Sequence, residues 1–125
     1  IYKYTNYDKF ATIESITIND LINKYGIPDY CKIDCEGSDM DILSTLSFTI
    51  PFISFEHVYE IKDNTLMIIE KLSQFGNYLY NFSIQEDDHL RFHSFINKEQ
   101  FIKWLETKDI PYFYGNVHAI IESQL

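Results

Sequence analysis

The chain has 125 residues, including ten tyrosines, ten phenylalanines and one tryptophan, and a formal net charge of −9. This length and aromatic content suit one small folded domain or part of a larger one, and the scarcity of glycine and proline argues against a disordered linker. The negative charge repels phosphate backbones, which argues against nonspecific nucleic-acid binding and favours a divalent cation or a neutral or cationic small molecule as partner.

The sequence predicts a protein of a reducing compartment. Cys31 and Cys35 would lie about 13 Å apart along an extended strand, beyond the reach of a disulfide. We therefore interpret both as small core residues and predict a cytoplasmic location. No Cys/His pair follows at the spacing of a zinc motif. No apolar run approaches the length of a membrane span, and no signal peptide is visible.

The first part of the chain predicts a strand, a helix and a second strand. The β-branched run 13–18 is typical of a short strand. Thr17 with Asp20 resembles a capping box that begins a helix, and Gly26 supplies its end. A buried strand is then predicted over residues 29–35.

From this buried strand onward, the predicted order is β-α-β-α-β-α-β, which is typical of a layered α/β sheet. The segment 90–95 fits either a hairpin partner or a loop. His118, within an apolar strand, indicates a hydrogen-bonded core imidazole. The remaining predicted elements are a helix capped by Ser38 and Asp41, a strand over 52–56, a helix over 64–75, a strand over 78–85, a helix capped by Asn97 and Gln100, and a strand over 117–121.

Acidic side chains follow two predicted strands at the point where each strand ends. Asp34 and Glu36 end the first, and Glu56 and His57 end the next. If these strands are adjacent and parallel, three carboxylates and one imidazole converge at one sheet edge. Such a cluster raises the pKa of at least one member and could provide a general base or bind a divalent metal. The competing interpretations are a helix cap for Asp34 and solvated loop positions for the second pair.

The motif Lys-Ile-Asp-x-Glu-Gly-x-Asp-x-x-Ile-Leu at residues 32–43 resembles the central motif of the FkbM-type methyltransferase family. Residues 17–21 resemble that family's upstream Thr-Leu-Asp-Asp-Leu motif. Residues 51–57 resemble its following strand, and residues 114–119 resemble its closing strand. The segments occur in family order across about residues 13–121. Four positions depart mildly from the usual residues: Asn19, Asp39, Asp41 and Asn116.

The resemblance implies a class I O-methyltransferase with a Rossmann-like sheet that uses S-adenosylmethionine and acts on a small-molecule or sugar hydroxyl. In that family a Gly-x-Gly cofactor loop and a ribose-binding acid precede the matched segment, and this sequence contains neither. Residues 1–125 thus resemble a single partial domain, the carboxyl-terminal half with strands four to seven, and we expect the isolated chain to be inactive. By analogy, Asp34 orients or deprotonates the acceptor, and Glu36, Glu56 and His57 assist it.

Two alternatives to the methyltransferase stay open. One is a noncatalytic α/β interaction module that kept the fold and lost the cofactor half. The other is a metal-dependent hydrolase that uses the cluster of Asp34, Glu36, Glu56 and His57. A strand followed by Gly-x-Gly encoded upstream of Ile1 would favour the enzyme over the module, and titration with metal or S-adenosylmethionine would separate hydrolase from methyltransferase. A sheet edge exposed by the missing half would favour self-association.

Overall fold

The computed structural model describes residues 11–125, in which helices and strands alternate along the chain. Single 3-10 turns follow the second strand at Tyr59–Ile61 and the last strand at Glu122–Gln124. The predicted order β-α-β-α-β-α-β is confirmed from the first strand onward. The helices and strands are α1 (Ile18–Tyr25), β1 (Tyr30–Ile33), α2 (Asp39–Ser44), β2 (Phe52–Val58), α3 (Lys62–Ser73), β3 (Tyr78–Ile84), α4 (Lys98–Glu106) and β4 (Tyr114–Ile121).

The four strands form one sheet in the order β1-β2-β4-β3. β1 and β2 are parallel, with Ile33 opposite Phe55, while β4 runs antiparallel to both β2 and β3. A parallel pair needs a crossover connection, and α2 lies in it. Within residues 11–125, β1 pairs only with β2. The carboxyl ends of the two parallel strands therefore meet at one edge of the sheet.

The two faces of the sheet differ in chemistry. Phe55, Phe82 and Val117 are fully buried on one face, where α3 packs on β2 and α4 packs on β3. Because side chains alternate along a strand, Ser54 lies on the opposite face from Phe55, together with its register partner His118. The aromatic core thus collects on one face and polar residues collect on the other.

The start of the described chain differs from its predicted structure. Residues 13–17 form no strand, although their β-branched composition favours one. Thr17 instead caps α1, since its Oγ1 accepts a hydrogen bond of 3.1 Å from the backbone N–H of Asp20. The predicted cap of α2 is wrong as well, because the side chain of Ser38 makes no capping hydrogen bond.

Two further predictions are resolved by the structure. The segment 90–95 forms a loop rather than a strand, and the residue after it, Ile96, makes an isolated bridge with Tyr80. Cys31 and Cys35 are free thiols as predicted, but Cys35 is exposed and is not a core residue. None of the helices within residues 11–125 has the length and apolar character that crossing a bilayer requires.

Candidate active site at the sheet edge

Asp34 and Glu56 lie at the carboxyl ends of adjacent parallel strands, as predicted. Ile33 and Phe55 are register partners; Asp34 directly follows the end of β1, and Glu56 is the third residue from the end of β2. Partial burial raises the pKa of the Glu56 carboxyl, and three nearby carboxylates add to this rise, namely those of Asp34, Glu36 and Asp39. A carboxylate with a raised pKa is a better proton acceptor near neutral pH.

The chain turns sharply between β1 and α2. Glu36 has a φ of 50° and Gly37 a φ of 93°, a left-handed region that non-glycine residues rarely occupy. A Cβ added to Gly37 would lie 3.4 Å from Cδ1 of Ile61, which is ordinary contact. The backbone conformation, rather than lack of space, therefore favours glycine at this turn.

Asp39 connects the two strand ends. This residue is only 4% exposed. Its Oδ1 accepts a 2.9 Å hydrogen bond from the backbone N–H of Cys35, and its Oδ2 accepts one of 3.2 Å from the backbone N–H of Glu56. Asp39 thereby fixes the position of β2 relative to the segment that carries Asp34. From the sequence alone, Asp39 was identified only as a position of the family motif. Its position in the first turn of a helix that follows a strand could have indicated that its carboxylate binds backbone N–H groups at the strand ends.

Lys32 holds Asp34 on the polar face. Its Nζ lies 3.4 Å from Oδ2 of Asp34 and donates to Oδ1 of Asn116 at 3.0 Å. Both members of this ion pair are partly exposed, so it contributes little to stability, but it restricts the orientation of the carboxylate. No hydrogen bond joins the Asp34 side chain to the backbone of α2 within residues 11–125. The structure therefore does not support the helix-cap interpretation of Asp34.

His118 is hydrogen-bonded, as predicted, and at both ring nitrogens, but it is half-buried on the polar face and is not a core residue. Ser54 Oγ lies 2.7 Å from Nδ1, and Ser83 Oγ lies 3.0 Å from Nε2. Burial lowers the pKa of this imidazole, and the charge of Lys32 lowers it further. With both nitrogens occupied, His118 is better suited to supporting the polar face than to proton transfer.

The structure does not bring His57 to the carboxylates. His57 lies on the same face as Phe55, because successive residues of a strand point to opposite sides. Its ring lies beside Phe82 and Phe113, with centroids 6.0 and 5.9 Å away. Its Nδ1 is 2.8 Å from Oγ1 of Thr65. The predicted convergence of three carboxylates and one imidazole is therefore wrong for the imidazole of His57. The alternation of side chains along β2 already indicated that Glu56 and His57 point to opposite faces.

The described residues provide no obvious metal centre. Between residues 11 and 125, no group of three or more His, Cys, Asp or Glu side chains is arranged to hold a metal ion. The charges of Asp34, Glu36 and Asp39 act on Glu56, but within the described residues these carboxylates are not arranged to hold one ion. The metal-ligand interpretation, and the hydrolase that depends on it, gains no support from this arrangement.

We expect His57 to make folding stability depend on pH. Burial, followed by the charge of Lys62, lowers its pKa from 6.5 to about 4. The unfolded chain then binds more protons between these values. The free energy of unfolding is therefore fully retained above about pH 6.5 and falls as the pH decreases towards 4, by about 3 kcal/mol.

Urea denaturation at pH 7.5 and pH 4.5 measures this effect. The control is the double variant His57→Phe/Thr65→Val, which replaces the buried pair by apolar side chains of similar shape. Since carboxylates also titrate below pH 5, the informative quantity is the difference between the two proteins. The same loss of stability in both would contradict a contribution from His57.

A scan against protein-family models matches the methyltransferase FkbM domain over residues 2–102. The match includes β1, α2 and β2, which carry the candidate site, and it ends within α4. The resemblance of residues 114–119 to the closing strand of that family lies beyond it. No curated protein and no solved structure matches the chain. Because the family model matches most of this sequence, the protein belongs to the FkbM methyltransferase domain family.

Proposed function

We propose that this chain forms the acceptor-binding part of an S-adenosylmethionine-dependent O-methyltransferase, with Asp34 as its orienting group or base. The observation that supports this most is the position of Asp34 beside Glu56 at the carboxyl ends of β1 and β2, within the matched part of the chain. Open α/β sheets bind their ligands at this edge. Membership of the family supplies the reaction class, and the acids supply groups able to act on a hydroxyl.

Methyl transfer requires the protein to position the acceptor hydroxyl and to provide one group that accepts its proton. The acceptor oxygen attacks the methyl carbon in line while the carbon–sulfur bond breaks, and the hydroxyl proton passes to a base. Holding the acceptor in place provides much of the rate. Asp34 is 57% exposed at its side chain and can contact an acceptor. Glu56, with its raised pKa, can share the proton.

S-adenosylmethionine supplies a methyl group on a positively charged sulfur. The negative edge formed by Asp34, Glu36 and Glu56 suits that charge. The four glycines of this sequence are isolated, and no Gly-x-Gly motif occurs in residues 1–125. We therefore place the residues that hold adenosine and ribose outside this sequence.

We also propose that the sheet is the later part of a Rossmann-like domain, with residues 1–125 as one partial unit. The parallel pairing of β1 with β2, crossed by α2, is the arrangement of a doubly wound sheet. Within the described residues the outer edge of β1 has no partner strand, so further parallel strands can add there. In their absence, the same edge favours self-association of the chain.

The acceptor is expected to be a neutral or cationic molecule with several hydroxyl groups, such as a sugar. A recess of about 250 Å³ lies next to Lys32, Asn116 and His118. Three acids line it as well, Glu86, Asp87 and Asp88, so carboxylates outnumber the single lysine. This polar lining offers donors and acceptors to hydroxyl groups and disfavours a phosphorylated acceptor.

We expect no saturable binding of S-adenosylmethionine by the 125-residue chain alone. Isothermal titration calorimetry checks this, with a protein extended upstream through a strand and Gly-x-Gly as the comparison. The extended protein should bind the cofactor and transfer a labelled methyl group to a sugar acceptor. Saturable binding by the 125-residue chain would contradict the assignment of the cofactor loop. An extended protein that binds but transfers no methyl group to any acceptor would favour the noncatalytic module.

A further inference from the structure

A cavity on the helix-covered face of the sheet lies apart from the carboxylate edge. It has a volume of about 290 Å³ and lies between β2, α3 and α4. Its lining includes the imidazole of His57 and three aliphatic side chains, those of Leu66, Ile102 and Leu105.

The imidazole of His57 presents an unpartnered nitrogen to this cavity. His57 is only 4% exposed, and its Nδ1 is occupied by the hydroxyl of Thr65. Within residues 11–125, no hydrogen bond reaches its Nε2. Among the fully buried side-chain nitrogen and oxygen atoms of these residues, only the Tyr80 hydroxyl lacks a partner. Nε2 of His57 is therefore not sealed in the core and is available to a ligand or to water in the cavity.

Thr65 determines which kind of partner the imidazole can take. Its side chain is buried, at 2% exposure, and its Oγ1 makes no other hydrogen bond within the described residues. Leaving the hydroxyl proton unpaired would be costly, so the hydroxyl donates to Nδ1 of His57. The ring proton is then on Nε2, and the imidazole offers the cavity a hydrogen-bond donor. The low pKa of His57 keeps the ring neutral near pH 7.

The charged groups at the rim of the cavity do not favour an anion. Lys62 is paired with Asp109 and lies 4.8 Å from the ring centroid of Tyr59. Lys108 lies 5.7 Å from the ring centroid of Trp104. Both rim lysines thus already have partners, and two further carboxylates line the cavity, those of Asp63 and Glu106. A neutral ligand suits this rim better than a carboxylate or a phosphate.

We propose that this cavity is a second binding site, for a compact, neutral, largely apolar molecule whose carbonyl oxygen accepts a hydrogen bond from Nε2 of His57. The aliphatic side chains of Leu66, Ile102 and Leu105 contact the apolar body of the ligand, and its carbonyl group points towards β2. The site lies on the opposite face from Asp34, so ligand binding here does not depend on methyl transfer.

Acetophenone serves as the probe, and its analogue 2-phenylpropene, which has a methylene group in place of the carbonyl oxygen, serves as the matched control. Titrations followed by the methyl resonances of Leu66 and Ile102, and by the ¹⁵N resonances of His57, measure both affinities. We expect acetophenone to bind about fivefold to tenfold more tightly than the control, and the ring proton to reside on Nε2. Equal affinities, no saturable binding of acetophenone, or a proton on Nδ1 would overturn the proposal.

Two variants test the contacts. His57→Phe/Thr65→Val should weaken acetophenone binding about fivefold to tenfold and leave binding of 2-phenylpropene unchanged. Leu66→Trp should abolish binding of both probes by filling the cavity. Met67→Trp, on the same helix and 51% exposed but outside the cavity lining, should leave both affinities unchanged. Unchanged acetophenone binding in Leu66→Trp would place the probe elsewhere and overturn the site even if the double variant fails to fold.

Discussion

Replacing Asp34 with Asn in the complete methyltransferase is expected to lower turnover about 100-fold or more, with little change in the free energy of unfolding. Asn keeps the shape of the side chain but cannot accept the proton of the acceptor hydroxyl. Asp34 pairs with a partly exposed lysine, so the loss of that ion pair changes stability little. Initial rates at saturating acceptor and urea denaturation measure the two effects.

The matched control for this substitution is Asp41→Asn, which removes an exposed acid from the first turn of α2. Its turnover should remain near that of the unchanged enzyme. Near-normal turnover in Asp34→Asn would show that the Asp34 carboxylate is not the proton acceptor, since Asn keeps the shape of the side chain but cannot take up the proton. The proton acceptor would then be Glu56 or a residue outside this sequence.

Replacing Asp39 with Ala should lower the free energy of unfolding by about 2 kcal/mol, the lower end of the cost of two unpaired donors. The buried carboxylate accepts hydrogen bonds from the backbone N–H groups of Cys35 and Glu56. Its removal leaves both donors unpaired; a fully buried unpaired donor costs about 1–3 kcal/mol, and these two are only partly buried. Urea denaturation measures the loss, and the exposed Asp41→Ala on the same helix is the control.

Asp39→Asn refines this test. One amide oxygen can still accept one of the two hydrogen bonds, while the NH₂ group faces the other donor. Its stability should therefore fall between those of the unchanged protein and Asp39→Ala. A loss in Asp39→Ala no larger than that in Asp41→Ala would mean that water or a backbone shift satisfies the two N–H groups, and that Asp39 does not fix the strand ends.

Local sequence signals predicted most elements of this fold because their capping residues and buried runs agree with the tertiary structure. Asn97 and Gln100, which were predicted to cap this helix, form a capping box at the start of α4. The strand predicted from residues 13–18 was wrong, because Thr17 caps a helix there. A strand also needs a partner, and the composition of one segment cannot show whether a partner is present.

The candidate site was predictable in part. The register of β1 and β2 places Asp34 and Glu56 together, as expected from two buried runs joined by a crossover. The prediction that His57 belongs to the site was wrong, because side chains alternate along β2 and His57 points to the opposite face from Glu56. The two hydrogen bonds of Asp39 depend on how the turn at Glu36 and Gly37 positions α2 under the strand ends. That geometry comes from tertiary structure rather than from residue type.

The position of β4 affects when this protein can fold during its synthesis. Of the four strands in residues 11–125, β4 is synthesised after the other three, yet it lies between β2 and β3 and pairs with both. Until residues 114–121 emerge, the nascent chain exposes two unpaired strand edges, which invite pairing with other chains. A domain boundary drawn at the end of the family match, residue 102, would remove this strand. Expression of residues up to 121 at least is therefore needed to close the sheet.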